Sequence, residues 1–537
     1  MVGATRGLLF CLLAVSVTYV KGEMFTALAD MERLVYQESD MVAALKQYIY
    51  MEEARLDELK RIADDFEALT KKATEDAESY LHHPVNAFLT VKRFLVDWNR
   101  VDELVEMSFA SDYLSNISYH RPYFPTKEDF RGAALALFRL QETYKLTASD
   151  VADGIIQDTK DSPTMNALEC FELGRVAYED TDNLHTVMWM KEALKRAQTE
   201  NPPSIEISVV LDYLSYSTYM IGDLKEALRL TEQLLDIEPD HQRGHGNKAF
   251  FEHELAVISG QKGDTGDMEE DETNKVQDSR PKRNVPEREA YEALCRGEQV
   301  QMTPAREKKL KCRLRHYNRP FLYLQPAKEE VVFDKPKLIL YRDCISDAEI
   351  ERLKVLAAPK LRRATIQNSV TGNLEFAEYR ISKSAWLRDD DDDVVMKISK
   401  RIEYYTGLTM DTAEELQVAN YGIGGHYEPH FDFSRRKKDE VDAFKALQTG
   451  NRIATMLFYM SEVTAGGATV FPRVGARLVP EKGTAAFWYN LLKSGEGDYS
   501  TRHAACPVLV GSKWVSNKWI HEVGQEFRRK CGMSEDR

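Results

Sequence analysis

The stretch His426-Tyr427-Glu428-Pro429-His430-Phe431-Asp432 decides the expected fold of the C-terminal part of this 537-residue chain. Successive side chains of a β-strand point to opposite faces, so His430 and Asp432 lie on the same side of such a strand. An imidazole and a carboxylate on one side of a strand can bind the same metal ion. The stretch therefore predicts a β-rich domain that carries a metal site in its mouth.

A candidate third ligand lies far downstream. His503 stands in Ser500-Thr501-Arg502-His503-Ala504-Ala505, and Lys513 follows it by ten residues. Two histidines and one carboxylate with open coordination positions form the facial triad of non-haem Fe(II) oxygenases, which leaves room for a bidentate oxo-acid and for O2. A lone His-x-Asp is common by chance, so this prediction depends on His503 and Lys513 as well.

The region 336–537 alternates short apolar stretches with turns rich in glycine and proline. The stretches are Leu338–Tyr341, Leu416–Tyr421, Ile453–Tyr459, Thr484–Trp488 and Trp514–Val515. Many short strands with turns between them indicate a β-sandwich or jelly roll. Residues 347–358 and 394–407 are predicted to be flanking helices. The acidic run Asp389–Asp393 is interpreted as a solvated loop.

The N-terminus indicates the secretory route. Arg6 precedes the apolar run Leu8–Val20, which Lys21 and Gly22 follow. This order is typical of a secretory signal peptide, predicted over residues 1–22, and the run is too short to span a membrane. The net charge of −15 argues against a nucleic-acid-binding protein.

Residues 23–140 are predicted to be helical. Apolar residues follow three- and four-residue steps at Val42, Leu45, Ile49, Leu56, Leu59, Ala63 and Phe66. Charged residues fill the other faces, as in an amphipathic helix or a short coiled coil. The pattern fits one helix of a bundle and a self-association segment equally well. Asn116-Ile117-Ser118 is a glycosylation sequon.

An internal repeat occupies residues 141–258. Leu173, Tyr178, Asp182, Thr186 and Ala193 recur forty-one residues later as Leu214, Tyr219, Asp223, Ala227 and Leu234. The spacing fits tetratricopeptide-like helix pairs, which form curved peptide-binding surfaces.

Tyr213, Tyr216 and Tyr219 share one face of a repeat helix because they are three residues apart. An aromatic groove suits a stiff polyproline II peptide, which loses little entropy on docking. The alternative is that these tyrosines pack the repeat core. We predict that they line a peptide-binding groove together with Tyr178.

Residues 259–335 are predicted to be a linker region, and its polar part over 260–283 cannot bury enough apolar surface to fold. Six cysteines remain after the signal peptide, and they allow fifteen pairings. Pairing Cys295 with Cys312 would close a short local loop, and Cys506 with Cys531 would tie a late strand to the C-terminus.

The ordered set of motifs closely resembles the prolyl 4-hydroxylase family, whose catalytic domain is a double-stranded β-helix (jelly-roll) dioxygenase. The resemblance runs through Gly466–Pro472, Tyr489-Asn490, Asp498–His503 and Trp519–Glu522. It extends to the tyrosine-bearing repeats and the N-terminal coil, as in the collagen-type α subunits. It implies a multidomain protein with an all-α N-terminal part and a C-terminal jelly roll with flanking helices.

The resemblance also implies the site and the reaction. By position, His430, Asp432 and His503 hold Fe(II), and Lys513 binds the distal carboxylate of 2-oxoglutarate. Further matched positions near the co-substrate, the metal or the substrate are Tyr421, Thr455, Trp519 and His521. The implied reaction hydroxylates proline at C4 in X-Pro-Gly repeats, uses O2, converts 2-oxoglutarate to succinate and CO2, and depends on ascorbate. His426 stands where many members of this family have glutamine, and it is interpreted as a loop or surface histidine.

Partners and bridges follow from the same resemblance. Collagen-type α subunits assemble with protein disulfide isomerase in an α2β2 tetramer, and the partner's retention signal would hold this chain in the endoplasmic reticulum lumen. The resemblance favours the pairs Cys295–Cys312 and Cys506–Cys531, with Cys170 and Cys344 free.

Two alternatives to the collagen enzyme stay open. The chain could be a binder of proline-rich peptides with an inert oxygenase domain, although the intact candidate ligands argue against this. It could also hydroxylate another secreted protein, since fold analogy does not determine the substrate.

Overall fold

The computed structural model describes residues 24–157, 159–160, 162–261, 287–367, 374–376, 379–435, 444 and 448–532. The predicted signal peptide and most of the polar linker lie outside these residues. The chain divides into two compact units, one formed by Ala29–Thr126 and the other by Met1–Leu28 with Lys127–Arg537. No helix in the described part has the length and apolar character that a bilayer crossing requires.

The unit Ala29–Thr126 is built from helices. They are α1 (Leu28–Glu75), α2 (Ala77–His82), α3 (Pro84–Lys92), a π-helical turn (Arg93–Asp97), α4 (Trp98–Glu106) and α5 (Ala110–His120). Helix α1 buries none of its residues, and Val42, Leu45 and Ile49 of the predicted apolar stripe are exposed. Such an uncovered stripe is typical of a helix that packs against another chain.

Helix pairs follow at the start of the second unit. The elements of this part are α6 (Lys127–Tyr144), α7 (Ala148–Ala152), the short strands β1 (Ile155–Ile156) and β2 (Thr159–Lys160), α8 (Ala167–Glu179), α9 (Asn183–Ala197), α10 (Ile207–Met220), α11 (Leu224–Ile237) and α12 (Gln242–Gln261). Asp182 and Asp223, the repeated aspartates, cap the N-termini of α9 and α11 through hydrogen bonds to His185 N and Glu226 N. The forty-one-residue repeat therefore marks two equivalent helix pairs. Helix α6 spans the predicted domain boundary after residue 140. Its residue Phe138, which precedes that boundary, packs in the core of the helix pairs.

Two antiparallel sheets dominate the rest of the second unit. The nine-stranded sheet has the order β3 (Cys312–Arg315), β4 (Ala327–Phe333), β5 (Leu338–Arg342), β16 (Ala485–Tyr489), β12 (Arg452–Tyr459), β19 (Trp514–His521), β10 (Leu416–Asn420), β9 (Lys383–Leu387) and β6 (Arg362–Arg363). The four-stranded sheet has the order β11 (Tyr427–His430), β17 (His503–Ala505), β14 (Thr469–Phe471) and β15 (Ala476–Leu478). The core between them includes Leu340, Tyr459, Phe471 and Trp488. This sheet-rich domain behind an all-helical part confirms the predicted fold class and agrees with a jelly roll.

The elements of this region, in chain order, are α13 (Arg288–Cys295), α14 (Pro304–Glu307), β3 (Cys312–Arg315), α15 (Pro320–Leu324), β4 (Ala327–Phe333), β5 (Leu338–Arg342), α16 (Asp347–Ala357), β6 (Arg362–Arg363), β7 (Thr365–Gln367), β8 (Leu374–Phe376), β9 (Lys383–Leu387), α17 (Asp393–Thr406), β10 (Leu416–Asn420), β11 (Tyr427–His430), β12 (Arg452–Tyr459), β13 (Ala465–Gly466), β14 (Thr469–Phe471), β15 (Ala476–Leu478), β16 (Ala485–Tyr489), β17 (His503–Ala505), β18 (Val508–Val510) and β19 (Trp514–His521). Helices α16 and α17 are the two predicted flanking helices.

The end of the predicted linker region is folded rather than extended. Strands β3 and β4 pair with each other, and β4 joins the nine-stranded sheet through β5. Alternate residues of β4 are buried, with Ala327, Val331 and Phe333 facing the core. The polar composition that predicts a linker is confined to the residues before α13.

The predicted disulfide pairs are wrong. The structure joins Cys295 to Cys506 across 211 residues, with the two Cα atoms 5.5 Å apart. Helix α13 packs Leu294 and Cys295 against Ala504 and Cys506 of the four-stranded sheet region, so tertiary packing and not short sequence separation brings the sulfurs together. Cys312 and Cys531 are exposed and form no bridge, whereas the expected free thiols Cys170 and Cys344 are buried.

Candidate metal centre and co-substrate site

The three predicted metal ligands lie together. His430 ends β11 and His503 begins β17, and these residues are direct partners across the antiparallel pair. Asp432 lies two residues beyond β11 and reaches both, with His430 Nε2 3.8 Å from its Oδ1 and His503 Nε2 3.6 Å from its Oδ2. One ligand atom from each residue falls within 4.8 Å of the others. Two imidazoles and one carboxylate in this arrangement fit a facial triad for Fe(II).

Backbone carbonyls orient both imidazoles. His430 Nδ1 lies 2.8 Å from the carbonyl oxygen of Glu428, and His503 Nδ1 lies 2.9 Å from that of Thr501. A carbonyl only accepts, so each Nδ1 carries the proton and each Nε2 keeps its lone pair for a metal. Burial, together with the neighbouring ring of His503, places the pKa of His430 well below its usual value. The ring is therefore neutral at physiological pH.

A hydrogen-bond chain orients the carboxylate of Asp432. Thr455 Oγ1 donates to Asp432 Oδ2 over 2.6 Å, and Asn490 Nδ2 donates to Thr455 Oγ1 over 2.8 Å. Because Asn490 supplies the donor to the hydroxyl, the hydroxyl proton is directed to the carboxylate. Burial opposes ionisation of Asp432, but interactions with His503, His430 and Arg452 and the hydrogen bond from Thr455 outweigh it, so the pKa is lowered. The predicted contact of Thr455 with the co-substrate stays a prediction.

Lys513 lies in the interior of the domain beside Tyr421. Its Nζ donates to the carbonyl oxygen of Gly467 over 2.6 Å and lies 4.9 Å from the centre of the Tyr421 ring. Burial lowers the pKa of Lys513 to about 7 and raises that of Tyr421 to about 12. Within the described residues Lys513 forms no salt bridge, and a buried ammonium gains most from an anionic ligand.

Two tryptophans border the metal centre. Trp488 and Trp519 are the cross-strand neighbours of Thr455 on either side, so all three side chains share one face of the sheet. The Trp488 ring lies 4.9 Å from the His503 ring. Both indole N–H groups are buried and make no hydrogen bond to a described residue. These donors are available to a bound molecule.

A charged network lies behind Trp519. Arg452 stacks on the Trp519 indole at 4.0 Å, and its Nε lies 2.5 Å from Glu414 Oε1. His521 Nε2 lies 2.9 Å from the same carboxylate oxygen, and Arg452 Nη1 lies 3.4 Å from the carbonyl oxygen of Asp432. Arg452 and Glu414 were not predicted, because neither stands in a recognisable motif. His521 was predicted only through the family resemblance.

His426 is a loop residue, which is one of the two predicted positions, but it is buried and not at the surface. It is 1% exposed and stands before β11, with its Nε2 4.0 Å from Glu428 Oε1. Its side chain lines a small cavity with Arg139 of α6 and Tyr291 of α13, and it does not join the triad. Helices that cover this side of the sheet account for its burial.

The four predicted peptide-binding tyrosines form a continuous aromatic strip. Ring centres are 4.9 Å apart for Tyr178 and Tyr213, 6.2 Å for Tyr178 and Tyr216, and 6.4 Å for Tyr216 and Tyr219. All four are half-buried, which suits a groove surface better than a closed core. Arg243 lies 5.8 Å from the Tyr213 ring centre and pairs with Asp212. Asn116, the predicted glycosylation site, is exposed on α5.

A second group of possible metal ligands, Glu142, Asp182 and His185, is engaged in structural contacts. Asp182 caps α9 and lies 2.7 Å from His185 Nδ1. Glu142 forms an ion pair with Arg288 over 2.7 Å.

Comparisons with known proteins agree with this architecture. Three family profiles match: "Prolyl 4-Hydroxylase alpha-subunit, N-terminal region" over residues 27–158, "Prolyl 4-hydroxylase peptide-substrate-binding domain" over 167–257, and "2OG-Fe(II) oxygenase superfamily" over 416–521. The last range contains the triad and Lys513. The chain is therefore a 2-oxoglutarate-dependent dioxygenase whose chemistry requires Fe(II), 2-oxoglutarate, O2 and ascorbate.

Whole-chain relatives agree with the domain matches. Prolyl 4-hydroxylase subunit alpha-1 of Mus musculus is 52% identical over 513 residues, which covers 95% of this chain and 96% of the relative. Subunit alpha-2 of Caenorhabditis elegans is 47% identical over 533 residues, covering 98% and 96%. A solved structure of viral collagen prolyl hydroxylase from Paramecium Bursaria Chlorella virus-1 is 26% identical, with a TM-score of 0.28, and covers 35% of this chain and 96% of that one. The chain belongs to the prolyl 4-hydroxylase α-subunit family.

Proposed function

We propose that this chain is the catalytic α subunit of a procollagen-proline 4-dioxygenase, which hydroxylates C4 of proline in X-Pro-Gly repeats of collagen-like chains. The reaction is coupled to decarboxylation of 2-oxoglutarate to succinate and CO2. The observation that carries the proposal is the convergence of His430, Asp432 and His503 within 4.8 Å. The substrate class is supported by the relatives, which are prolyl 4-hydroxylase α subunits across nearly their whole length.

His430, Asp432 and His503 are assigned to Fe(II). Iron bound there supplies the O2 activation that couples decarboxylation of 2-oxoglutarate to hydroxylation of the peptide, and ascorbate keeps it reduced. The protein contributes two imidazoles, whose Nδ1 protons are held by backbone carbonyls, and a carboxylate whose pKa is lowered by the groups around it. The ligands are thus deprotonated and oriented before a metal arrives.

Lys513 is assigned to the distal carboxylate of 2-oxoglutarate. A buried ammonium with only a carbonyl partner among the described side chains and backbone groups is poorly compensated, and a dianionic ligand supplies the missing charge. Tyr421 borders this position, and Thr455 and Trp519 are assigned to the wall between the co-substrate and the metal.

The aromatic strip of Tyr178, Tyr213, Tyr216 and Tyr219 is assigned to the proline-rich peptide. Rings whose faces remain half-exposed offer stacking surfaces to a polyproline II ligand without requiring it to change shape. Binding at this strip holds a long substrate on the enzyme between reactions, and it acts on affinity for long peptides rather than on the chemical step.

Assembly and location complete the proposal. The exposed apolar stripe of α1 supports self-association of the helical N-terminal region. Protein disulfide isomerase is proposed as the β subunit of an α2β2 tetramer that resides in the endoplasmic reticulum lumen. An exposed sequon at Asn116 is compatible with passage through that compartment.

The decisive experiment uses the purified complex with Fe(II), ascorbate, 2-oxoglutarate and a (Pro-Pro-Gly)-repeat peptide. Mass spectrometry should show the gain of one oxygen atom per modified proline, and release of CO2 from 2-oxoglutarate should depend on both iron and peptide. A matched Asp432→Ala variant should bind the peptide with unchanged affinity and form no product. Peptide binding without product in the unmodified enzyme would favour an inert peptide binder instead.

A further inference from the structure

A short N-terminal segment, Met24–Ala27, is buried although it directly precedes the exposed helix α1. Phe25 is 8% exposed, and Thr26 and Ala27 are fully buried. The segment forms one 3-10 turn and belongs to the same compact unit as the oxygenase domain, whereas the chain from Ala29 to Thr126 forms the other unit. We call Met24–Ala27 the N-terminal strap.

One side of the strap packs on α6. The Phe25 ring lies so close to Gly132 that a Cβ atom at that position would be 2.1 Å from the ring. Real Cβ atoms do not approach other atoms so closely, so glycine at position 132 creates the space that the ring fills. The backbone N–H of Met24 also donates to the carboxylate of Asp129 on the same helix.

The other side of the strap packs on the loop Gly422–Gly425. The backbone N–H of Ile423 donates to the carbonyl oxygen of Phe25 over 3.1 Å. A Cβ atom on Gly422 would lie 1.9 Å from that same oxygen. Arg139 of α6 donates to the carbonyl oxygen of Gly424 over 3.0 Å. The loop is thus held between α6 and the strap.

This loop connects the two halves of the candidate site. It begins directly after Tyr421, whose backbone N–H donates to the carbonyl oxygen of Lys513 over 3.1 Å. It ends shortly before β11, which carries His430. A displacement of the loop would therefore be transmitted first to Tyr421 and to the backbone of Lys513, both assigned to 2-oxoglutarate.

We propose that the N-terminal strap is a positioning element for 2-oxoglutarate binding, in which Phe25 fixes the Gly422–Gly425 loop and thereby the placement of Tyr421 beside Lys513. The inference rests on the proposed assignment of these two residues to the co-substrate. The first residues of the N-terminal helical region would then contribute to the oxygenase site. Neither metal binding nor peptide binding at the aromatic strip requires this contribution.

The test is a set of variants in the assembled enzyme. Phe25→Ala removes the ring, and Gly132→Ala forces the ring away without altering the oxygenase domain. Each should raise the KM for 2-oxoglutarate by about three- to tenfold, because small misplacements of binding groups weaken productive binding. The KM for peptide and the retention of iron should stay unchanged. Gly246→Ala is the matched control, since it is also a helical glycine and its Cβ would meet no atom within 4 Å.

The double variant separates the strap from a general loss of stability. If both changes act through the ring, Gly132→Ala should add nothing in the Phe25→Ala background. Amide exchange at Ile423 should accelerate in both single variants, because its partner is the Phe25 carbonyl. If Phe25→Ala does not fold, Phe25→Leu and Gly132→Ala carry the same comparison.

Two outcomes would overturn the proposal. One is a folded Phe25→Ala or Gly132→Ala enzyme with unchanged KM for 2-oxoglutarate. The other is a fall in kcat in proportion to lost folded protein at constant KM. A parallel Lys513→Ala enzyme distinguishes the two levels of inference: if it too leaves the KM for 2-oxoglutarate unchanged, the co-substrate assignment is wrong and not only the role of the strap.

Discussion

Replacement of Lys513 by methionine should weaken 2-oxoglutarate binding and also abolish its dependence on pH. Burial lowers the pKa of Lys513 to about 7. In the free enzyme, roughly nine-tenths of the sites therefore carry the ammonium at pH 6 and roughly one-tenth at pH 8. 2-Oxoglutarate is a dianion throughout this range. If only the protonated site binds it, the KM for 2-oxoglutarate should rise about tenfold from pH 6 to pH 8.

The Lys513→Met variant measures the strength of the interaction between the Lys513 ammonium and 2-oxoglutarate. A hydrogen bond to a charged group contributes about 1.5–3 kcal/mol, so Lys513→Met should raise the KM for 2-oxoglutarate by roughly 10- to 150-fold at pH 6. Its KM should then be nearly constant up to pH 8, because the titrating group is gone. Lys518→Met is a matched control, since Lys518 is also a buried lysine, in the strand β19 that begins directly after Lys513, but its Nζ lies 3.7 Å from Asp389.

The assay is steady-state release of CO2 from 2-oxoglutarate at saturating peptide and iron, repeated at several pH values. Iron retention, measured by metal analysis after gel filtration, should be similar in all three proteins. The reasoning is refuted if the KM for 2-oxoglutarate in the unmodified enzyme is constant between pH 6 and 8, or if this KM still rises with pH in Lys513→Met. Equal loss of iron and of 2-oxoglutarate affinity would make Lys513 a structural residue.

Four further predictions concern stability, the metal, the peptide and the disulfide. Without 2-oxoglutarate, unfolded Lys513 binds more protons than the folded residue above pH 7, so stability should rise with pH by up to about 1.4 kcal/mol per unit; calorimetry of Lys513→Met should show that this rise is absent. Asn490→Ala removes the donor that orients the threonine hydroxyl toward the carboxylate ligand, and equilibrium dialysis should show about tenfold weaker iron binding. Tyr216→Ala should raise the KM for long proline-rich peptides more than for short ones. An unchanged ratio of the two KM values would indicate that this ring packs in the repeat core. Peptide mapping without reduction should recover Cys295 joined to Cys506, and recovery of the two local pairs would contradict the structure.

The metal centre could be predicted because its geometry depends on two local rules. Strand alternation places His430 and Asp432 on one side, and one antiparallel pairing brings His503 opposite His430. The repeat was predictable for a similar reason, since Asp182 and Asp223 perform the same capping role in successive helix pairs. Each of these features needs only one element or one neighbouring pair to be identified correctly.

Features that depend on distant packing could not be predicted. Cys295 reaches Cys506 because α13 folds back onto the four-stranded sheet, and nothing in the intervening residues indicates that path. Arg452 and Glu414 meet at the end of β19, where Arg452 is the cross-strand partner of His521 and the backbone N–H of Glu414 donates to the carbonyl oxygen of Trp519. Charged pairs of this kind have no characteristic spacing, so only the folded chain identifies them.

His426 shows where a local rule stops being valid. Its four-residue spacing from His430 suggests the same side of one strand, but β11 begins only at Tyr427. Gly424 has a positive φ of 53° and lies against the α6 backbone, so the chain turns just before the strand and carries His426 away from the triad. Alternation does not extend through the turn in front of β11, and that turn is determined by the helix and the strap that contact it.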